Sequence, residues 1–573
     1  MGLVGRYADL RAEARSLQEC SEALHLTRRR GHPSEPMNNR VHTLAVRCGD
    51  AITVMRVAPG LSVREALDCT ALRVRAACGG TGSCGACTVR LLAGRVNALT
   101  TAEYLKLAVE ERSQGLRLAC QLRLEGDAEI ELEFPAPPSV WKSIAVEDLW
   151  PIDLRLPDLT QHIYGVAVDL GTTHVRVSLW DRKRGVRLAS RRGPNPQQAF
   201  GADVLNRLAA ARNTVHSMEL AKLARDAVVD AVRDMLGRDL GEVTPLLAEI
   251  GRVVIAGNTA MLALLTGRGG EALLDPENWQ RSVDCQPADV PAWRRDWHMP
   301  NARIEVLPAV AGFVGSDLLA DLVATRLADG PPGSMLLDVG TNAEIALWDG
   351  HKIHVTSVPG GPAFEGGGVR HGMPAEPGAI SAVRASADGQ RVELEVIGGA
   401  EAKGFCGSGL LDAMAVLLQR GVLKSSGRFA VPPGPAGYLL DPRNSHTAIT
   451  GNTVDAFQRA KAATAAAMAV LLEQAGMNWG QITRLCVCGA FGDQLNIVNA
   501  QALGLLPPVS ASVVELYAEA TLGGCEWILL SDPFEHSVIQ LARSLTIINV
   551  TLVIWYEDRY IEELRLRPIA AAG

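Results

Sequence analysis

Three cysteines in the stretch CGGTGSCGAC, Cys78, Cys84 and Cys87, have C-x5-C-x2-C spacing, and a fourth, Cys120, follows in RLACQ. Four thiolates, three on one loop and one from a later strand, are what a [2Fe–2S] cluster needs from a single chain. Such a loop wraps around inorganic sulfide and offers it N–H groups, which favours glycine; Gly79, Gly80, Gly82 and Gly85 fall where that need arises. Zinc would call instead for two short cysteine pairs. Cys20, Cys48, Cys69, Cys285 and Cys525 have no partner at ligand spacing and read as core thiols.

A second chemistry is written further on, in VDLGTTHVRVSLWD from Val168 and LDVGTNAEIALWD from Leu337. Each reads apolar–Asp–apolar–Gly–Thr followed by a strand that ends in Trp-Asp, so the two are copies of one unit. In the first, Asp169 ends a strand, Gly171 opens a tight turn, and Thr172 and Thr173 offer hydroxyls and backbone N–H groups to phosphate oxygens. In the second, Asp338, Gly340, Thr341 and Asn342 take those places. Two carboxylates brought from opposite halves can hold Mg²⁺ through water and orient an attacking water, while the loops neutralise phosphate charge. Asp169 and Asp338 are therefore the candidate catalytic pair, with Glu344 as a further candidate beside them and Glu365 as a supporting group. Glycine-rich turns at Gly407, Ser408 and Gly409, and at Gly489 and Gly492, suit the adenosine end, where a backbone must approach a ring or ribose closely. Lys461, on an alanine-rich helix, points either to the nucleotide or to solvent.

These residues need elements to hold them. From Val41 the chain alternates as paired strands (HTLAVRC, AITVMRVAP), then runs through a short helix, the cysteine loop, a strand, a helix and a closing strand that ends in PAPPS. Residues 136–160 carry prolines without a clear period and read as a linker. Beyond them strand-like runs alternate with helices, and VVIAGNTAM and LCVCGAFGD lie at similar distances after the two Asp-x-Gly-Thr units. The reading is an N-terminal extension (1–36), a small α+β domain of β-grasp type (37–135), the linker (136–160), and two α/β halves (161–332 and 333–573) that clamp one ligand. TIINVTLVIWY, from Thr546, reads as a buried core strand.

The chain has 573 residues, a formal net charge of −7 and 21% charged residues, so no global basic field draws nucleic acid or an anionic membrane. No apolar run reaches the roughly 18–20 residues a membrane helix needs. The arginines at 28–30 precede polar sequence without the apolar core of an export signal, so the expected location is the cytoplasm. Translation starting at Met37 instead of Met1 is compatible with the pattern.

Residues 41–135 resemble a [2Fe–2S] ferredoxin, with a first cysteine spacing nearer the adrenodoxin-like variant. The duplicated halves resemble the acetate kinase–sugar kinase–heat-shock–actin (ASKHA) ATPases. Together with NPQQAFGADVLNRL, GNTAM, LPAVAGFVGSDLLA, GGPAFEGG, GFCGSGLLDA, FQRAKAA and LGLLP, in that order, they resemble the reductive activators of corrinoid-dependent enzymes. The resemblance implies an ATP-dependent electron donor that returns Co(II) corrinoid to Co(I) for methyl transfer. It also implies a corrinoid methyl-carrier partner, an upstream electron donor and a homodimer. Members can carry a substantial domain between ferredoxin and ATPase where only residues 136–160 stand here, and the tail EATLGGCEWILLSDPFEHSVIQ, from Glu519, matches loosely. Two other readings remain at this stage, a redox-gated small-molecule kinase and an ATP-binding redox sensor.

Overall fold

Each Asp-x-Gly-Thr unit is a β-hairpin whose first strand pairs with a parallel neighbour on its other edge and is covered on both faces by packed side chains. The computed structural model describes residues 42–570, except 50, 58–60, 69, 71, 73, 75–81, 83–84, 86, 133–139, 145–156, 158, 160, 202, 238–242, 366–368, 387–390, 400, 435, 490, 492–493 and 532–534. The expected N-terminal extension lies outside the described residues, as do Cys78, Cys84 and Gly492.

The first sheet is built from β1 (His42–Cys48), β2 (Ala51–Val57), β3 (Thr88–Val96), β4 (Leu116–Leu118) and β5 (Leu124–Glu131), in the order β2-β1-β5-β3-β4. β1 runs parallel to β5 and antiparallel to β2. The helix Val63–Asp68 buries Val63, Ala66 and Leu67 in a core with Leu44, Val46, Leu118, Leu122 and Ile130. Inward-pointing residues at every second position of β1 make that core possible.

The next sheet contains β6 (Tyr164–Leu170), β7 (His174–Asp181), β8 (Val186–Pro194), β9 (Ile250–Gly257) and β10 (Arg303–Val306), in the order β10-β9-β6-β7-β8. The following one is formed by β11 (Ser334–Val339), β12 (Ala343–Trp348) and β13 (Ile353–Val358), with three later strands. Between them in the chain lie the short strands β14 (Ala379–Ala385), β15 (Val392–Val396), β16 (Gly404–Phe405), β17 (Tyr438–Leu439) and β18 (Ala448–Ile449). The three later strands are β19 (Arg484–Gly489), β20 (Val514–Leu516) and β21 (Thr546–Ile547), giving the order β20-β19-β11-β12-β13-β21. Apart from the edge strand β21, this is the order of the preceding sheet. Asp169 pairs with Ala256 on β9, and Asp338 with Cys488 on β19. The internal repeat in the sequence is therefore a repeat of topology and of register.

Two helices lie between the sheets. Ser316–Thr325 follows β10, and Ala520–Leu530 follows β20. Gly524 lets them touch, since a Cβ there would sit 1.9 Å from the Ala320 carbonyl oxygen. Although Ala520–Leu530 comes late in the chain, its end is bound by arginines of the first half. Arg182 Nε and Arg252 Nη1 donate to the Leu529 carbonyl at 3.2 and 3.3 Å, and Arg187 pairs with Glu526 at 2.7 Å.

Two segments differ from the reading of the sequence. The described part of 136–160 is not a loose connector around Trp141: Lys142 pairs with Arg192 on the edge of β8, and the Trp141 ring is buried over Gly193, donating to Asp230 at 2.7 Å. A Cβ at 193 would lie 2.4 Å from that ring. The stretch from Thr546 is a strand only at Thr546–Ile547, pairing with β13; Asn549 then caps a turn by accepting from the amide and hydroxyl of Thr551, and Ile554 stands 98% exposed. An apolar run gave the wrong reading because Asn549 turns the backbone in the middle of it.

Candidate functional site

The two hairpins deliver their Asp-x-Gly-Thr ends to one cleft between the halves. Asp169, Gly171, Thr172, Asp338, Gly340, Thr341, Asn342, Glu344 and Gly489, all singled out in the sequence, line it. Thr173 joins them through Glu365, whose Oε2 accepts its hydroxyl at 3.1 Å and that of Thr341 as well. Gly407, Ser408 and Gly409 are buried at the start of the helix Gly407–Gln419 and are not in the cleft lining. Their lack of bulk serves packing: a Cβ at 407 would meet the Phe364 carbonyl at 2.2 Å, and one at 409 the Ile380 carbonyl at 1.9 Å.

Both turns are closed by their own glycine. Gly171 N donates to His174 O at 3.0 Å and Gly340 N to Asn342 O at 2.8 Å, so these two amides hold the hairpins. The first loop is braced from behind by the NPQQAFGADVLNRL segment. Asn195 Nδ2 donates to Gly171 O (2.9 Å), Arg207 Nη1 to Thr172 O (2.8 Å), and Gln198 Nε2 to Thr173 O (2.8 Å). Asn258, which caps the helix Thr259–Thr266, also donates to the Thr172 hydroxyl at 3.0 Å. Three successive carbonyls are thus held by side chains, which fixes the direction of the loop. Gly489 has φ +88°, and a Cβ there would come within 2.3 Å of Asp338 Oδ1, so a side chain would displace the carboxylate.

The lining is strongly acidic. Sequence reading missed Asp317, which lines the cleft from the Ser316–Thr325 helix, and Asp321 four residues on, whose Oδ1 accepts the Thr521 hydroxyl at 2.9 Å. It also missed Glu519, at the N-cap of Ala520–Leu530, and Arg176 on β7. Arg176 bonds Asp169 Oδ2 at 3.0 Å and pairs with Glu519 at 2.6 Å, and it is the one cation in the lining among the described residues. Burial pushes Asp169 up to about 6, Arg176 opposing it and Glu519 and Asp338 adding to it. Burial likewise raises Asp338 to about 6 and Asp317 to about 7. Asp321 is held well above the carboxylate range by burial, with the charge of Asp338 adding to it. Glu344, opposite Asp338 across the hairpin, is raised in the same way and accepts the Ser357 hydroxyl at 3.0 Å. Carboxylates crowded into one buried cleft, with a single arginine among the described residues of its lining, disfavour one another's charge and so rise together.

Lys461 neither faces a nucleotide nor reaches solvent. Its ammonium is buried and donates to the carbonyls of Glu563 and Arg565 and to Glu563 Oε2 (3.1 Å), tying the Gly451–Gln474 helix to the C-terminal segment.

In the small domain, Cys87 Sγ and Cys120 Sγ lie 3.3 Å apart and both are buried. Gly82 and Gly85 have φ of +82° and +72°, in the left-handed region that favours glycine. Glu103 fixes the approach to Cys120: Arg117 donates to it twice (2.7 and 3.1 Å) and the Leu118 amide once (3.1 Å). Burial raises the Glu103 carboxyl, but these bonds and that from Thr100 outweigh it and hold it below its usual range. Two buried thiols that converge to 3.3 Å could supply two of the four thiolates that a [2Fe–2S] cluster needs.

Comparison with known families agrees with this arrangement. A model of 2Fe-2S iron-sulfur cluster binding domains matches residues 47–125. A model of the RACo middle region matches 164–330, and one of the C-terminal domain of RACo, the ASKHA domain, matches 333–571. The two RACo models between them take in more than half of the chain. The chain belongs to the RACo family. What that family calls its middle region is the first half of the duplicated fold here. Corrinoid activation enzyme RamQ of Eubacterium limosum is 29% identical over 393 residues, which are 64% of this chain and 64% of RamQ. The aligned part thus spans somewhat less than two thirds of that relative. The [Co(II) methylated amine-specific corrinoid protein] reductase of Methanosarcina barkeri is 27% identical over 418 residues, covering 67% of this chain and 73% of that protein. Among solved structures, a reductive activator for corrinoid, iron-sulfur protein superposes with a TM-score of 0.61 at 25% identity, over 92% of this chain and 98% of that one. The fold is therefore a ferredoxin domain followed by an ASKHA-type domain.

Proposed function

We propose that this RACo-family chain reactivates a corrinoid protein, using ATP in the interlobe cleft to assist one-electron reduction of Co(II) to Co(I). The observation that carries this reading is the pairing, in one chain, of a converged cysteine site with a duplicated hairpin cleft of ASKHA type. RamQ and the Methanosarcina barkeri reductase, two relatives that align over more than half of this chain, are named for corrinoid activation and corrinoid protein reduction, which supports the same substrate class here.

Cys78, Cys84, Cys87 and Cys120 would hold a [2Fe–2S] cluster, which would supply electrons one at a time. Buried Cys87 and Cys120 and the Glu103–Arg117 brace keep that site rigid. In the cleft, Thr172, Thr173, Thr341 and Asn342 would bind phosphate, and Asp169 and Asp338 would hold Mg²⁺, which would neutralise phosphate charge. With a divalent cation bound, both carboxylates would be anionic at neutral pH and would orient the attacking water. The partners that follow are a corrinoid methyl-carrier protein, an electron donor that reloads the cluster, and a second copy of the chain. Among the described residues no helix is long and apolar enough to cross a membrane; the cytoplasm is the proposed location.

The test is anaerobic reconstitution. Iron and sulfide content with a [2Fe–2S] spectrum, lost in Cys87→Ser and Cys120→Ser, supports the electron site. ATP hydrolysis that the Co(II) corrinoid protein stimulates, with no phosphorylated small-molecule product, supports the activator over a kinase.

A further inference from the structure

One oxygen of one carboxylate joins the two phosphate loops. Glu365 Oε2 accepts from Thr173 Oγ1 of the first half (3.1 Å) and from Thr341 Oγ1 of the second. Its own place belongs to the second half. The turn Pro362–Glu365 is anchored by buried Phe364, which packs edge-on against Phe457 (5.4 Å between centroids) and tilted against Phe491 (5.2 Å). Gly361 N donates to Thr341 O at 2.8 Å, tying the same turn to the second loop. The bond to Thr173 is then a reach across the cleft from a fixed base. Arg176 of the first half, paired with Asp169 and Glu519, lines the same cleft as Glu365.

An anion that takes hydroxyls from both loops does what a nucleotide phosphate would do there. We infer that Glu365 is a stand-in anion: it latches the halves while the site is empty, and the phosphate of an arriving nucleotide must displace it. The inference rests on the reading that phosphate binds between these loops. Two anions cannot share the same two hydroxyls in a poorly solvated cleft without strong repulsion, so displacement is required. Because Glu365 bonds to both halves, its release changes how they are held together, and nucleotide arrival is thereby coupled to lobe movement. Glu365 is thus a positioning residue.

The experiment compares wild type, Glu365→Ala and Glu365→Gln, all with cluster loaded. Mg-ADP and a non-hydrolysable ATP analogue are titrated by calorimetry, KM and kcat of ATP hydrolysis are measured, and hydrogen exchange is followed at residues 170–176 and 340–343 without nucleotide. The latch predicts nucleotide binding tighter by about 5- to 150-fold in Glu365→Ala, the usual span of site coupling. It also predicts a smaller gain in Glu365→Gln, a lower KM, and faster exchange in both loops of the empty protein. Wild type that binds nucleotide while both variants bind equally or more weakly would overturn the latch alone. A fall in kcat at unchanged KM would also overturn it, making Glu365 a group of the chemical step. Failure of all three proteins to bind nucleotide would overturn the phosphate-site reading and the latch with it.

Discussion

Asp169 and Asp338 sit at the ends of buried strands, and burial lifts both to about 6, with Asp317 near 7. A carboxylate whose folded pKa is raised binds more protons folded than unfolded, so its contribution to stability is full below the ordinary value near 4 and is lost as pH rises through 6 to 7. Without divalent cation, the melting temperature of the protein is therefore expected to be higher at pH 5.5 than at pH 7.5. Added Mg²⁺ should narrow that difference by favouring the anionic forms, and differential scanning calorimetry at the two pH values checks both points. Asp169→Asn and Asp338→Asn should each lower ATP turnover at least ~100-fold, on the scale of losing an electrostatic catalytic group. Asp338→Asn should melt no lower than wild type in the metal-free protein, because it removes a carboxylate whose charge is disfavoured by burial. The two aspartates were legible because the sequence repeats them in the same frame. Arg176, Asp317 and Asp321 were not, since each sits inside a regular strand or helix with no local signature, and only the fold brings them to Asp169 and Asp338.

At the level of elements, the hairpins are short and owe their geometry to what lies behind them. Asn195, Gln198 and Arg207 were quoted in the sequence as part of a shared segment; their work, holding three carbonyls of the first loop, appears only when the segment folds back under it. The Gly407–Gly409 turn shows the opposite limit. Its glycines suggested a nucleotide contact, yet their closest neighbours are backbone carbonyls of packed elements. A glycine required by packing and one required by a ligand look alike in sequence. Lys461 makes the element-scale prediction. Removing residues 563–573 takes away all three of its acceptors and leaves an ammonium buried, a loss of about 3–5 kcal/mol. Urea unfolding should show that loss for the truncated chain. Adding Lys461→Met to the truncation should recover much of it, because a methionine has the volume without the charge.

For the molecule as a whole, the fold class was legible because both halves repeat one strand pattern and the cysteine spacing is specific. The wrapping of Ala520–Leu530 onto the first half was not, since it depends on Arg182, Arg187 and Arg252 meeting a helix more than 270 positions away. That helix begins at Glu519, which pairs with Arg176 in the cleft, so the state of the cleft and the packing between the halves are physically connected. Such a connection is what an uphill electron transfer needs: each 59 mV by which Co(II) reduction is uphill costs a factor of ten, and unequal nucleotide binding to two arrangements can supply it. The most direct measurement mixes the dithionite-reduced, cluster-loaded protein, freed of excess dithionite, with a Co(II) corrinoid protein and follows Co(I) absorbance with and without Mg-ATP. The account predicts Co(I) formation that requires Mg-ATP, is lost in Asp169→Asn and Asp338→Asn, and is absent in Cys120→Ser. Co(I) appearing to the same extent without ATP, or none appearing with an intact cluster and a competent corrinoid partner, would contradict it.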